Sequence, residues 1–153
     1  MRKYHVSGAD TIEIGHVALD LNGTLSERGQ LIDGVAERLA ILARDLQLHL
    51  VTADTLGTAS RLAAEIPVSV ATISRGSEKA DLVQSLGPNR TVAIGNGRND
   101  EAMLRLAVLG IAIIGPEGAA TSAVLAADIV CGSILDALDL LLDERTLAST
   151  LRP

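Results

Sequence analysis

Several polar residues stand where apolar runs end. Asp20 closes 17-VALD-20, Thr52 closes 48-LHLVT-52, and 93-AIGNGRND-100 brings Asn96, Asn99 and Asp100 after another apolar run. Lys79 falls in the first turn of the helical stretch 77-SEKADLVQSLG-87. A cation there opposes the helix dipole, so an anion at the same sheet edge is the natural reason for it. Asp20 reads as a candidate nucleophile, and a nucleophilic carboxylate would be expected to have an acid two residues on. That position holds Asn22. Each feature alone has a plainer reading: 22-NG-23 as a hairpin turn, Thr52 as a strand end, Lys79 as a solvated lysine, Asn99 as a helix N-cap. Their order along the chain gives them weight together.

The elements that must position these residues alternate. Strand-like runs lie near 11–21, 47–52, 68–72, 91–95, 109–115 and 127–131, with helical patterns near 33–46, 57–65, 77–86, 99–107, 118–126 and 133–143. In 35-VAERLAILARDL-46, Val35, Leu39, Leu42 and Leu46 recur at helical spacing. Consecutive apolar residues in the central runs predict strands covered on both faces. The alternation predicts an α/β fold, a doubly wound, Rossmann-like, mainly parallel sheet with helices on both faces, whose ligands sit beyond the carboxyl ends of the strands. The 153 residues form one domain, with a core of about 12–143 and terminal residues expected to be loose.

Composition narrows the function. The net charge of −6 and a single aromatic residue disfavour a nucleic-acid surface. No signal-peptide pattern and no apolar run of spanning length is present, so a cytoplasmic protein without membrane contact is expected. Asn22 and Asn89, each in an Asn-x-Thr triplet, are then not glycosylation sites. Cys131 stands alone and reads as a small buried hydrophobe. His5, His16 and His49 fit no metal spacing. A calcium loop beginning at Asp20 fails at its twelfth position, Leu31, and 95-GNGRND-100 lacks the dinucleotide fingerprint. Asp54 and Thr55 read as a substrate contact or as the cap of the next helix. Glu117 lies at the mouth after 109-LGIAIIG-115, where a first-turn glutamate is the plainer reading.

The ordered set resembles the haloacid dehalogenase (HAD) superfamily of phosphotransferases. Asp20, Gly23 and Thr24 match its first motif, Thr52 its second, Lys79 its third, and Gly95, Gly97, Asn99 and Asp100 its fourth. More closely, 95-GNGRNDEAML-104 and 127-ADIV-130 resemble the phosphorylation domain of P-type ATPases without membrane segments. In this the chain resembles the small group described as soluble P-type-ATPase-like HAD proteins. The resemblance implies that Asp20 attacks a phosphoryl group and forms an aspartyl phosphate. Thr52, Ala53, Lys79 and Asn99 would hold phosphoryl oxygens, and Lys79 would also neutralise charge beside Asp20. Mg²⁺ would be held by Asp20, the Asn22 backbone carbonyl, Asn96 and Asp100, the last directly or through water. An anionic nucleophile can approach an anionic phosphate only with such a cation and donor cage.

Two departures matter. Asn22 replaces the family's acid/base Asp, a group typically worth roughly 10²–10⁴-fold, and Asn96 replaces a Mg²⁺-ligand Asp. A slow Mg²⁺-dependent phosphatase or phosphotransferase with weak Mg²⁺ binding is therefore expected. The alternative is a HAD-fold protein that binds a phosphorylated ligand or a protein partner with little turnover. The spacings from Asp20 to Thr52 and from Thr52 to Lys79 leave no room for a cap domain. An open mouth and the Leu-rich 134-ILDALDLLL-142 lead to an expected dimer or tetramer acting on a phosphorylated small molecule or phosphoprotein.

Overall fold

The computed structural model describes residues 1–53 and 57–153; Asp54 and Thr55 lie outside them. In chain order the strands are β1 (Arg2–Tyr4), β2 (Ile12–Ile14), β3 (His16–Asp20), β4 (Ser26–Glu27), β5 (Gln30–Leu31), β6 (Gln47–Thr52), β7 (Ser69–Thr72), β8 (Thr91–Gly95), β9 (Leu109–Ile113) and β10 (Ile129–Cys131). The helices are α1 (Val35–Leu42), α2 (Thr58–Ala63), α3 (Ser77–Leu86), α4 (Glu101–Leu106), α5 (Thr121–Ala126), α6 (Ile134–Leu142) and α7 (Glu144–Thr150).

Six strands form one sheet in the order β10-β9-β8-β3-β6-β7, and every neighbouring pair is parallel. After β3 the chain moves outward to β6 and β7, then returns to β8 on the other side of β3. The switch point of this doubly wound sheet therefore lies between β3 and β8, where such folds open a crevice at the carboxyl edge.

Alternation along the buried strands sorts the two faces. Val17, Leu19, Val92, Ile94, Ile111 and Ile113 share one core with buried residues of α1, α6 and α7. Ala18, Ala93 and Val51 face the other core, with Val83 of α3, Met103 and Leu104 of α4 and Ala123 of α5. Alanines on that face let α3 and α4 approach closely, which draws Lys79 and Asp100 to the sheet edge. Leu19 is fully buried; Leu19→Ala is expected to cost about 2–5 kcal/mol.

Several features differ from expectation. The run 11–21 is two strands broken at Gly15, whose N–H donates to the Arg90 carbonyl at 2.9 Å. Its first part, β2, pairs antiparallel with β1. The first residues are thereby tied down: Tyr4 is 1% exposed, and its hydroxyl donates to the Leu141 carbonyl at 2.7 Å. Burial pushes that hydroxyl's pKa up to about 12. Residues past 143 add α7, with Asp143 accepting the Arg145 N–H at its start. The hairpin turn falls at Arg28–Gly29 (φ 52° and 77°), between β4 and β5, not at Asn22–Gly23. In α6, Ile134, Ala137, Leu138 and Leu141 are buried within the chain, and Leu135, Leu140 and Leu142 are half-buried. Among the described residues no helix is long and apolar enough to cross a membrane.

Candidate functional site

Asp20 ends β3 at the switch point, 7% exposed. Lys79 enters from the first turn of α3, 1% exposed, and Asp100 from the turn before α4, fully buried. The Lys79 ammonium bridges them, with Nζ 2.6 Å from Asp20 Oδ1 and 2.6 Å from Asp100 Oδ1. This is the reason a lysine can occupy a helix N-terminus. Asp100 uses its second oxygen as well: Oδ2 accepts the Asn96 N–H at 3.0 Å and the Gly97 N–H at 2.8 Å. Asp100, rather than Asn99, thus shapes this turn. Gly95 permits it, because a Cβ there would lie 2.5 Å from Asp100 Cγ.

One ammonium shared by two carboxylates leaves an excess negative charge. Burial, and then repulsion from Asp100, push the Asp20 carboxyl up to about 6 against the pull of Lys79. Burial opposes the Lys79 charge, but the two carboxylates outweigh it and hold its pKa above the ordinary value.

Thr24 completes the inner wall. Its hydroxyl lies 3.1 Å from Asp20 Oδ2 and 3.3 Å from Asn96 Oδ1. A hydroxyl has one proton to donate. Two buried acceptor oxygens therefore converge on a single donor, and one of them is left for another electropositive partner. A hard divalent cation suits such oxygens. Asp20 and Asn96 could offer such an ion oxygens of the right kind, with one charge between them, and Asn22 lines the same cavity. Among the described residues no three His, Cys, Asp or Glu side chains are grouped as a metal cluster.

Asp20, Asn22, Thr52, Ala53, Lys79, Asn96, Gly97, Asn99 and Glu117 line a cavity of ≈ 230 Å³. The structure thus brings together the residues singled out in the sequence; Asp100 joins them through Lys79, behind which it stands, and is not part of the lining. With both oxygens engaged it positions Lys79 and the 96–97 backbone instead of facing the cavity. Two residues have roles that the sequence does not give. Thr24 matches a motif without a role of its own, and Glu117, at the mouth after the 109–115 run, reads most plainly as a helix-start glutamate. Glu117 instead sits on a tight turn, in which the Gly118 N–H donates to the Gly115 carbonyl at 2.9 Å. A second depression of ≈ 650 Å³ adjoins at Asn99, lined also by Ser77, Ala80, Arg98, Ala102 and Leu106 along α3 and α4.

A six-stranded parallel sheet with this site at its switch point is the HAD-superfamily fold without a cap domain. Comparison with solved structures agrees. The 3-deoxy-D-manno-octulosonate 8-phosphate phosphatase of Moraxella catarrhalis, solved with magnesium, phosphate and KDO, superposes with a TM-score of 0.68 at 21% identity, over 86% of this chain and 87% of that one. A zinc-transporting PIB-type ATPase in its E2.Pi state superposes with a TM-score of 0.66 at 22% identity, over 78% of this chain and 20% of the ATPase. Within that fold the chain belongs to the family of the uncharacterized protein MJ0073 of Methanocaldococcus jannaschii, with 49% identity over 84 residues, 50% of this chain and 90% of that protein. No family model matches the chain.

Proposed function

We propose that the protein is a Mg²⁺-dependent phosphatase or phosphotransferase that works through an aspartyl phosphate on Asp20, and that it is slow. The observation that carries this reading is the Asp20–Lys79–Asp100 bridge, with two contacts of 2.6 Å, opening onto the small polar cavity. An Asp20 oxygen attacks phosphorus, the bond from phosphorus to the leaving oxygen breaks, and the phosphoryl group passes to the carboxylate. Water then attacks phosphorus and regenerates Asp20 with inorganic phosphate. Lys79, held by Asp100, offsets negative charge as carboxylate and phosphate approach. Thr52, Ala53 and Asn99 line the space for phosphoryl oxygens. Mg²⁺, held by Asp20, the Asn22 carbonyl and Asn96, would supply further charge neutralisation. Asn22 is an amide and donates no proton to the leaving oxygen at neutral pH, so substrates with good leaving groups react best.

The larger depression along α3 and α4 gives the rest of a phosphorylated metabolite or a phosphoprotein a place beside the cavity. The exposed Arg98 there favours an anionic group. The second reading, a phosphate-ligand binder with little turnover, is favoured by the two amides alone. A dimer or tetramer remains part of the proposal on the ground of the open mouth, and light scattering tests it. The deciding experiment for function is a screen of phosphorylated metabolites with Mg²⁺, run beside Asp20→Asn. Phosphate release that disappears in Asp20→Asn supports the enzyme; ligand binding without release gives the second reading.

A further inference from the structure

The cation site proposed above lacks one carboxylate, because position 96 is an amide. The turn 115-GPEG-118 closes over that amide. Asn96 Nδ2 donates to the Gly118 carbonyl at 3.1 Å, and the Ala120 N–H donates to the Asn96 carbonyl at 2.8 Å. The turn is thereby fixed to residue 96 from two sides, and its tip carries Glu117 into the cavity wall with Asp20, Asn22 and Asn96.

The position of the Glu117 carboxylate is narrow. A Cβ built on Gly23 would lie 2.6 Å from Glu117 Oε2 and 2.7 Å from Asn96 Nδ2. Both atoms thus crowd one point above Gly23, and the peptide carbonyl just before Gly23 is that of Asn22. The Glu117 carboxylate therefore stands near the Asn96 side chain, in the cavity wall that Asn22 and Asp20 share. Asn96 is oriented to match, with Oδ1 turned inward to the Thr24 hydroxyl and Nδ2 donating to the Gly118 carbonyl, on the side where Glu117 Oε2 also approaches Gly23. An aspartate at 96 would place a second oxygen against the Gly118 carbonyl and the Glu117 carboxylate, a repulsive arrangement. The amide at 96 and the acid at 117 are complementary.

We propose that Glu117 is a direct anionic ligand of the divalent cation, carrying from the turn after β9 the charge that position 96 does not carry. This rests on the cation-dependent reading above. The test is a Mn²⁺ titration followed by electron paramagnetic resonance, with Mg²⁺ competing, on the wild type, Glu117→Gln, Asn96→Asp and the double variant. Glu117→Gln is expected to weaken cation binding about tenfold or more, since hard cations prefer charged oxygen. The double variant, with the acid moved back to 96, is expected to recover most of that loss. Asn96→Asp alone is expected to lower the metal-free Tm, with Glu117→Gln relieving it. A Glu117→Gln variant of unchanged fold and unchanged cation affinity overturns the proposal without bearing on the reading of Asp20 as nucleophile. A wild type that binds neither cation overturns it together with the cation-dependent reading.

Discussion

The central strand β3 runs between two polar clusters, and they are built differently. At its start, His16 Nδ1 lies 3.2 Å from His49 Nε2, and His49 Nδ1 lies 2.9 Å from Ser69 Oγ. This chain crosses three adjacent strands and joins neutral groups. At the other end, Asp20, Lys79 and Asp100 form a buried charged triad with more acid than base, opening onto a cavity. The first cluster knits strands together; the second keeps unbalanced charge where it costs stability. Charge imbalance in a buried site marks function more sharply than burial of polar groups does.

Removing the shared cation should break that contrast most severely. Lys79→Met leaves two nearly inaccessible carboxylates without a counter-ion, and a loss of about 3–5 kcal/mol is expected in urea unfolding near neutral pH. Adding Asp100→Asn to it should recover part of the loss. A loss below about 1 kcal/mol would show that the triad is not the strained end of the strand. Next in size is Gly95→Ala. Its Cβ would meet Asp100 Cγ at 2.5 Å, so about 1–3 kcal/mol of overpacking is expected. Any Asp20-dependent activity should fall with it, because Asp100 aligns Lys79.

The histidine end should give the smallest effect, and one that depends on pH. Burial, and then Arg90, lower the pKa of His16 below 6.5; burial, and then His16, lower that of His49. The unfolded chain therefore binds more protons in this range. The contribution is fully present above pH 6.5 and is lost as pH falls through the lowered folded values. Asp20, raised to about 6 in the fold, opposes this over the same range, so the histidine part is read as the difference between wild type and His49→Gln in denaturation between pH 7.5 and 5, the wild type losing more stability as pH falls. An equal slope in wild type and variant would assign the decline to other groups.

Much of this architecture was legible because it rests on periodicity. The alternation of large and small residues in 17-VAL-19, 92-VAI-94 and 111-IAI-113 encodes strands with two unlike faces. Asp20, Thr52 and Lys79 stand at ends that such a pattern makes visible. What escaped has short range or none. The β1–β2 ribbon is three residues a side and depends on Tyr4 and Arg2 reaching α6, a contact across the whole chain. Gly15 looks like one more residue of a continuous strand. The His16–His49 contact needs the parallel register of β3 and β6. Glu117 lies on a four-residue turn whose direction is set by Asn96, twenty-one positions earlier. Spacing along the chain does not reveal such a partner.

The central claim is that Asp20 is a nucleophile in a site that lacks its acid. Acetyl [³²P]phosphate, whose leaving group needs no proton, tests it directly. After acid quenching, the wild type is expected to carry hydroxylamine-labile label on the peptide containing Asp20. Asp20→Asn should carry none. Asn22→Asp should turn the label over faster, by an amount approaching roughly 10²–10⁴-fold. Peptide mass analysis must accompany each rate, since deamidation at Asn22-Gly23 would create that aspartate unbidden. Label that persists in Asp20→Asn, or a wild type that takes up none with Mg²⁺ present, would contradict the account.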